Sequence, residues 1–177
     1  CTAIDLTRIG SHQITPLQWY KGIFVELCRG FGLLGKFNFN EWWQAQEGVS
    51  YVQRLGYFLE LLLTDYFSHD RLVIFVDEVD KVLGLDFSVA DFFGLIRASY
   101  NQRSLTPAYG RLTFAIFGVA DPSDLITDPL TTPFNIGRGI ALEGFQWHEI
   151  HPLMAGLEAK IEGDETALFK EILFWRG

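Results

Sequence analysis

The sequence predicts an α/β fold: a mostly parallel sheet with helices packed on it. Three observations predict it. Short apolar runs of strand character alternate along the chain with longer segments whose apolar residues recur at helical spacing. The run Leu72-Val73-Ile74-Phe75-Val76 is apolar without a break and ends in Asp77-Glu78, the pattern of a strand buried on both faces of a parallel sheet. Two helix starts are spelled out as capping boxes, Thr15-Pro16-Leu17-Gln18 and Ser50-Tyr51-Val52-Gln53.

Taken in order, Thr2-Ala3-Ile4-Asp5-Leu6 reads as a first short strand, followed by a loop from Arg8 to Ile14. Thr15 then caps a helix that carries Tyr20, Phe24, Leu27, Cys28 and Phe31 at helical spacing, with Gly30 and Gly32 marking its end. Asn40-Glu41-Trp42-Trp43 suggests a short helical turn. After Ser50, the residues Leu55, Phe58, Leu59, Leu62, Leu63 and Tyr66 make one apolar face, and Ser68-His69-Asp70 turns the chain into the strand at Leu72. Ser88 can cap the next helix, where Val89, Phe92, Phe93, Ile96 and Tyr100 share a face and Asp91 sits in the favourable first turn. A loop over Ser104–Gly110 leads to a strand at Leu112–Phe117. Asp121-Pro122 reads as a cap followed by proline at the first helical position. Thr127 to Arg138 is irregular, Ile140-Ala141-Leu142 reads as a short strand, and helical patterns over His148–Leu157 and Thr166–Trp175 close the chain.

Composition narrows the function. The 177 residues make one domain, or one domain and the start of another. Apolar residues are 49% of the chain and aromatics 15%, too rich for a disordered segment. A net charge of −8, with the basic residues scattered, argues against a nucleic acid partner. Cys1 and Cys28 give neither a disulfide framework nor metal-ligand spacing, which fits a reducing cytoplasm. No apolar run approaches the ~18 residues of a membrane span. The chain opens on Cys1 and stops directly after a helical pattern, so it reads as a piece of a longer protein.

The chemistry-bearing feature is Asp77-Glu78. Ligands of open parallel sheets bind at the carboxyl ends of the strands, where these two acids fall. An acid pair there has the form of a Walker B strand of a P-loop NTPase. Asp77 would hold Mg²⁺ through water, and Glu78 would polarise the water that attacks the γ-phosphate. The bland reading is a solvated acidic turn. No G-x-x-x-x-G-K-[ST] phosphate loop occurs in the 177 residues. Asp80 reads as an ordinary surface acid, with support of the Asp77-Glu78 pair as the other reading. Arg97, Arg103 and Arg138 are arginine-finger candidates against a surface role. His148 and His151, at i and i+3, lack a nearby third ligand and read as surface or capping residues. Trp42-Trp43 and Phe92-Phe93 read as core.

Four blocks in order carry a resemblance: A-I-D-L-T-R-I-G at Ala3–Gly10, V-I-F-V-D-E-V-D-K-V-L-G-L-D-F-S-V-A-D-F-F-G-L at Val73–Leu95, L-T-F-A-I-F-G-V-A at Leu112–Ala120 and T-P-F-N-I-G at Thr132–Gly137. They resemble the bacterial AAA-like ATPase domain, a P-loop NTPase domain of large signalling proteins that often precedes WD40 or other repeats. The resemblance implies a sheet ordered 5-1-4-3-2. Ala3–Leu6 would be strand 2, Leu72–Val76 strand 3, Leu112–Phe117 strand 4 and Gly139–Leu142 strand 5. Strand 1 and its phosphate loop would precede Cys1. Residues 1–145 would be the nucleotide-binding core without that strand, and residues 146–177 the start of a helical lid. Ser123 falls where a sensor residue of this fold sits. Asp121 would repel phosphate, so helix capping is its reading.

The resemblance also implies ATP and Mg²⁺ as cofactors, a conformational switch driven by ATP hydrolysis, other domains of the same chain as partners, and homo-oligomerisation. These 177 residues alone are expected to be inactive. The alternative function is a non-catalytic scaffold for interaction or oligomerisation.

Overall fold

A computed structural model of the chain describes residues 1–126, 132–156 and 164–176. By contacts the chain divides into Cys1–Gly137 and Arg138–Gly177, and each is described by itself.

In the first unit, β1 (Thr2–Asp5), β2 (Leu72–Asp77) and β3 (Leu112–Ile116) form a three-stranded sheet in the order β1-β2-β3. Both pairings are parallel, from Thr2↔Ile74 to Asp5↔Asp77 and from Leu72↔Leu112 to Val76↔Ile116. The three consecutive strands therefore stand in the relative order 2-3-4 that the family resemblance implies. Leu6 leaves the strand for a 3₁₀ turn, Leu6–Arg8, because the Asp5 carboxylate accepts from Thr7 N at 2.9 Å and bends the chain there.

Three long helices cover one face of the sheet: α1 (Pro16–Gly30), α3 (Tyr51–Leu61) and α4 (Ala90–Asn101), with the short α2 (Phe39–Ala45) between the first two. Both predicted capping boxes form, Thr15 with Gln18 and Ser50 with Gln53. Asn38 caps α2 by accepting from Glu41 N at 3.2 Å. Ser88 acts one residue earlier than expected: Val89 is the cap of α4, and the Ser88 hydroxyl accepts from Ala90 N at 3.2 Å. α3 runs on into a single π turn, Leu62–Tyr66, closed by Phe67 N to Leu62 O at 2.8 Å.

The core lies between these helices and the sheet. Ile4, Ile74 and Phe114 from adjacent strands meet Ile23 and Leu27 of α1, Leu55 and Leu59 of α3, and Phe92 and Ile96 of α4. Phe24 is fully buried at the centre of an aromatic cluster, with Phe58 at 4.5 Å, Trp43 at 5.1 Å and Trp42 at 5.3 Å. Trp43, Phe92 and Phe93 are thus core residues, as the sequence suggests, and Trp42 is half-buried against them.

The reading of Leu72–Val76 as a strand buried on both faces is corrected. Leu72, Ile74 and Val76 are buried, but Val73 and Phe75 are only half-buried and Asp77 is exposed. Topology supplies the reason. Both crossovers advance in the same direction across the sheet. Right-handed connections then place all their helices on one face. Ala3, Asp5, Val73, Phe75, Asp77, Thr113 and Ala115 form the opposite face, each exposed or half-buried.

In the second unit, Pro152 opens α6 (His151–Ala155), which follows a 3₁₀ turn at Trp147–Glu149. Asp164 accepts from Ala167 N at 3.1 Å at the start of α7 (Glu165–Arg176). The expected strand at Ile140–Leu142 is absent: these residues have no regular structure, and Ile140 and Leu142 are 72% and 86% exposed. A strand exists only when a neighbour pairs with its backbone, and this segment joins no ladder among the described residues. The expected irregular stretch at 127–131 and the end of the first C-terminal helical pattern at 157 lie outside the described residues. No helix among the described residues is long and apolar enough to cross a membrane.

Candidate functional site

Parallel pairing brings the carboxyl ends of all three strands to one edge of the sheet. Asp77 is the last residue of β2 and Glu78 follows it. The Asp77 Oδ1 accepts from Glu78 N at 2.9 Å, which leaves the second carboxylate oxygen of an exposed side chain available. Glu78 stands in the left-handed region at φ 54°, ψ 43°. For a residue with a Cβ that conformation costs about 1–2 kcal/mol, and it turns the chain sharply into a 3₁₀ segment, Val79–Gly84. Lys81 Nζ lies 3.5 Å from the Glu78 carboxylate and 3.8 Å from that of Asp80. The Glu78 pair is solvent-exposed on both sides and contributes little to stability.

The chain leaving β3 is bound to the chain leaving β2. Phe117 N donates to Val76 O at 2.8 Å, and Val79 N donates to Phe117 O at 2.9 Å. Gly118 is pressed against this junction: a Cβ there would fall 2.6 Å from Val79 Cγ1 and 3.0 Å from Asp80 Oδ1. Asp80 is no free surface acid. Its side chain is 18% exposed, and its Oδ1 accepts from Val119 N at 3.3 Å.

Beyond Val119, Asp121 caps α5 (Pro122–Leu125), as expected. Its Oδ1 accepts from both Ser123 N at 2.9 Å and Ser123 Oγ at 2.6 Å. The Ser123 hydroxyl, followed by its backbone N–H, holds the Asp121 carboxyl below the usual carboxylate range. Ser123, the sensor candidate, thus has its hydroxyl proton on Asp121.

Asp5 is a residue that the sequence reading passed over. It ends β1 as the register partner of Asp77, so the two acids stand side by side on the same face of the sheet. The signal was present, an acid closing the first strand, but only the pairing register makes it a neighbour of Asp77.

Two arginine-finger candidates are committed within the first unit. Arg97 donates to Thr132 O at 2.8 Å and to Asn135 Oδ1, and so fastens the segment that also places Phe134 5.6 Å from Phe93. Arg103 donates to Leu112 O and lies over Tyr100 at 4.5 Å. Arg138, His148 and His151 are exposed in the second unit. Among the described residues no group of three His, Cys, Asp or Glu side chains could hold a metal ion. Asp77, exposed and with its Oδ1 accepting from Glu78 N, offers one carboxylate at the strand end. Cys28, in the core, is inert: burial pushes its thiol up to about 11.

In open parallel sheets ligands bind outside the carboxyl ends of the strands, where Asp77 and Glu78 stand. The family profile described as AAA-like domain matches residues 3–173, and the chain belongs to that family. It is also 45% identical over all 177 residues to an uncharacterized WD repeat-containing protein of Synechocystis sp., of which it covers 15%. No solved structure matches the chain.

Proposed function

We propose that this chain is the Walker B half of an ATP-binding and ATP-hydrolysing switch in a larger protein that also carries WD repeats. The observation that carries this reading is the placement of Asp77-Glu78 at the carboxyl end of β2, hydrogen-bonded through the following turn to the chain leaving β3. In that role Asp77 would hold Mg²⁺ through water, and Glu78 would take a proton from the water that attacks the γ-phosphorus while the bond to ADP breaks and ADP leaves. Bound Mg²⁺ would supply charge for the developing phosphate oxygens. Ser123 and the turn that holds it face the phosphate as the sensor region.

The phosphates need backbone amides, a lysine and a hydroxyl from a phosphate loop. Among the described residues β3 pairs only with β2, and the sheet face opposite the helices presents half-buried and exposed side chains. Both features suit a strand, loop and helix of the same gene product set beside β3, in the 5-1-4-3-2 order. The WD repeats of the Synechocystis relative support a partner within the same polypeptide, moved by the nucleotide state.

The test is ATP binding and turnover by the full-length gene product, with and without Mg²⁺. Glu78→Gln should keep ATP binding and lower kcat at least ~100-fold, the usual worth of a general base. Unchanged turnover would remove Glu78 from the mechanism. Failure of the wild-type protein to bind ATP would leave a non-catalytic scaffold as the reading.

A further inference from the structure

We infer that Asp80 is a positioning residue, which clamps the turn after β3 to the Glu78 turn and so sets the distance between the two halves of the site. The inference rests on the ATPase reading for its functional consequence, while the clamp itself stands on contacts in the structure.

The first observation is that Asp80 uses its two oxygens on different partners. Oδ1 accepts from Val119 N at 3.3 Å, and Oδ2 lies 3.8 Å from Lys81 Nζ, the same ammonium that stands 3.5 Å from Glu78. The carboxylate therefore links the surroundings of Glu78 to a backbone amide 39 residues further on. Second, the acceptor is partly buried although the bond lies at the surface: the Asp80 side chain is 18% exposed, against 49% for Glu78, while Val119 is 95% exposed. A hydrogen bond to an ionised acceptor is about twice as strong as a neutral one. Third, the two turns touch closely enough that only glycine fits at position 118. The clamp closes over a contact with no slack.

Geometry on the two sides gives the clamp its purpose. Glu78 is held in a left-handed conformation that the flanking residues must maintain. Two residues beyond Val119, Asp121 fixes Ser123 by two hydrogen bonds. Asp121 and Ser123 thus form one hydrogen-bonded corner, and that corner is linked to the Glu78 turn by the backbone bond from Val79 N to Phe117 O and, through a side chain, by Val119 and Asp80. A group that acts on a bound nucleotide from each side needs that separation fixed, because misplacement by about 1 Å can cost on the order of 100-fold in rate.

The experiment compares wild type, Asp80→Ala and Asp80→Asn in the full-length gene product by quench-flow hydrogen–deuterium exchange and by ATP turnover. Asn keeps an oxygen acceptor at the same reach; Ala keeps none. Peptides spanning Phe117–Ala120 should exchange roughly fivefold faster in Asp80→Ala, the loss of one net hydrogen bond, and only about twofold faster in Asp80→Asn, whose neutral oxygen keeps a weaker bond. In turnover, Asp80→Ala should lower kcat about tenfold with KM for ATP changed less than about twofold, and Asp80→Asn should restore most of it. Should Asp80→Ala loosen the β2 peptides too, Gly118→Ala, whose Cβ would press on Val79 Cγ1 and on Asp80 Oδ1, parts the same turns with the Asp80 carboxylate retained and should speed Phe117–Ala120 exchange alone. Unchanged exchange in Asp80→Ala, or Asp80→Asn as impaired as Asp80→Ala, overturns the inference. A wild-type protein that does not hydrolyse ATP overturns the ATPase reading instead, and the exchange comparison still decides whether Asp80 is the clamp.

Discussion

Glu78 and Arg54 show what single residues hide from a sequence reading. Asp77-Glu78 is legible as an acid pair because carboxylates after an apolar run are unusual. The left-handed backbone of Glu78 is not legible, because no glycine or asparagine announces it. Arg54 is harder still. It reads as an unremarkable helix residue, yet it is 8% exposed. Its Nε donates to Val49 O at 2.9 Å and its Nη1 to Trp43 O at 3.3 Å, while the guanidinium lies 4.8 Å from the Trp43 ring centre and 5.7 Å from that of Tyr51. One side chain thereby ties the end of α2 and the loop before α3 to the aromatic core. Its partners are one carbonyl of α2 and one of the loop before α3, a pairing that no local pattern records. Arg54→Ala should destabilise the fold by about 2–3 kcal/mol, from two charge-assisted hydrogen bonds and the ring contacts. Arg54→Lys should recover less than half of that, since an ammonium lacks the planar fork that reaches both carbonyls. Urea unfolding of the three proteins measures it, and equal stability of Lys and Arg would make the forked geometry irrelevant.

Helix starts are written locally, and strand surroundings are not. Thr15-Pro16 and Ser50-Gln53 predict their helices because each cap needs only residues within one turn. The two-faced burial expected of β2 fails because five apolar residues in a row do not say which faces have helices on them. Likewise Ile140–Leu142 has strand-like residues without a paired neighbour among the described residues. Contacts between elements have the same long-range origin. A Cβ on Gly30, in the last turn of α1, would fall 1.6 Å from Thr2 Oγ1 and 2.7 Å from Thr2 Cβ at the start of β1. No rotation of the hydroxyl relieves the second contact, so α1 and β1 must separate to admit it. Gly30 reads in the sequence as a helix terminator. In the structure it is also a point where the helix lies hard against the sheet. Gly30→Ala should cost about 1–3 kcal/mol, the usual cost of overpacking. Adding Thr2→Gly should return most of that loss, because it removes both clashing atoms. Strictly additive losses in the double-mutant cycle would show that the two positions do not meet.

At the scale of the molecule, the strand order decides where solvent is kept out. Had β2→β3 reversed direction across the sheet, its helix would have crossed to the other face. With the order β1-β2-β3 all three long helices share one face, and the other presents Val73, Phe75 and Ala115 as half-buried apolar surface. Parallel sheets are normally covered on both sides. Under the proposed function the cover would be a helix brought to this face by a strand beside β3 whose own crossover runs the opposite way. Phe75 and Phe117 stack there at 6.0 Å, with Phe117 44% exposed. Hydroxyl-radical footprinting of the full-length gene product tests the idea. Leu105, 79% exposed in the same unit, serves as the internal reference. If a helix covers the face, Phe117 should be labelled severalfold less, relative to Leu105, than its 44% exposure implies, and Phe75 scarcely at all. Saturating ATP with Mg²⁺ should deepen that protection, since the covering element would carry the phosphate loop. Labelling in proportion to the exposures found here would mean the face stays open, and the phosphate-binding half of the site would then have no place beside β3.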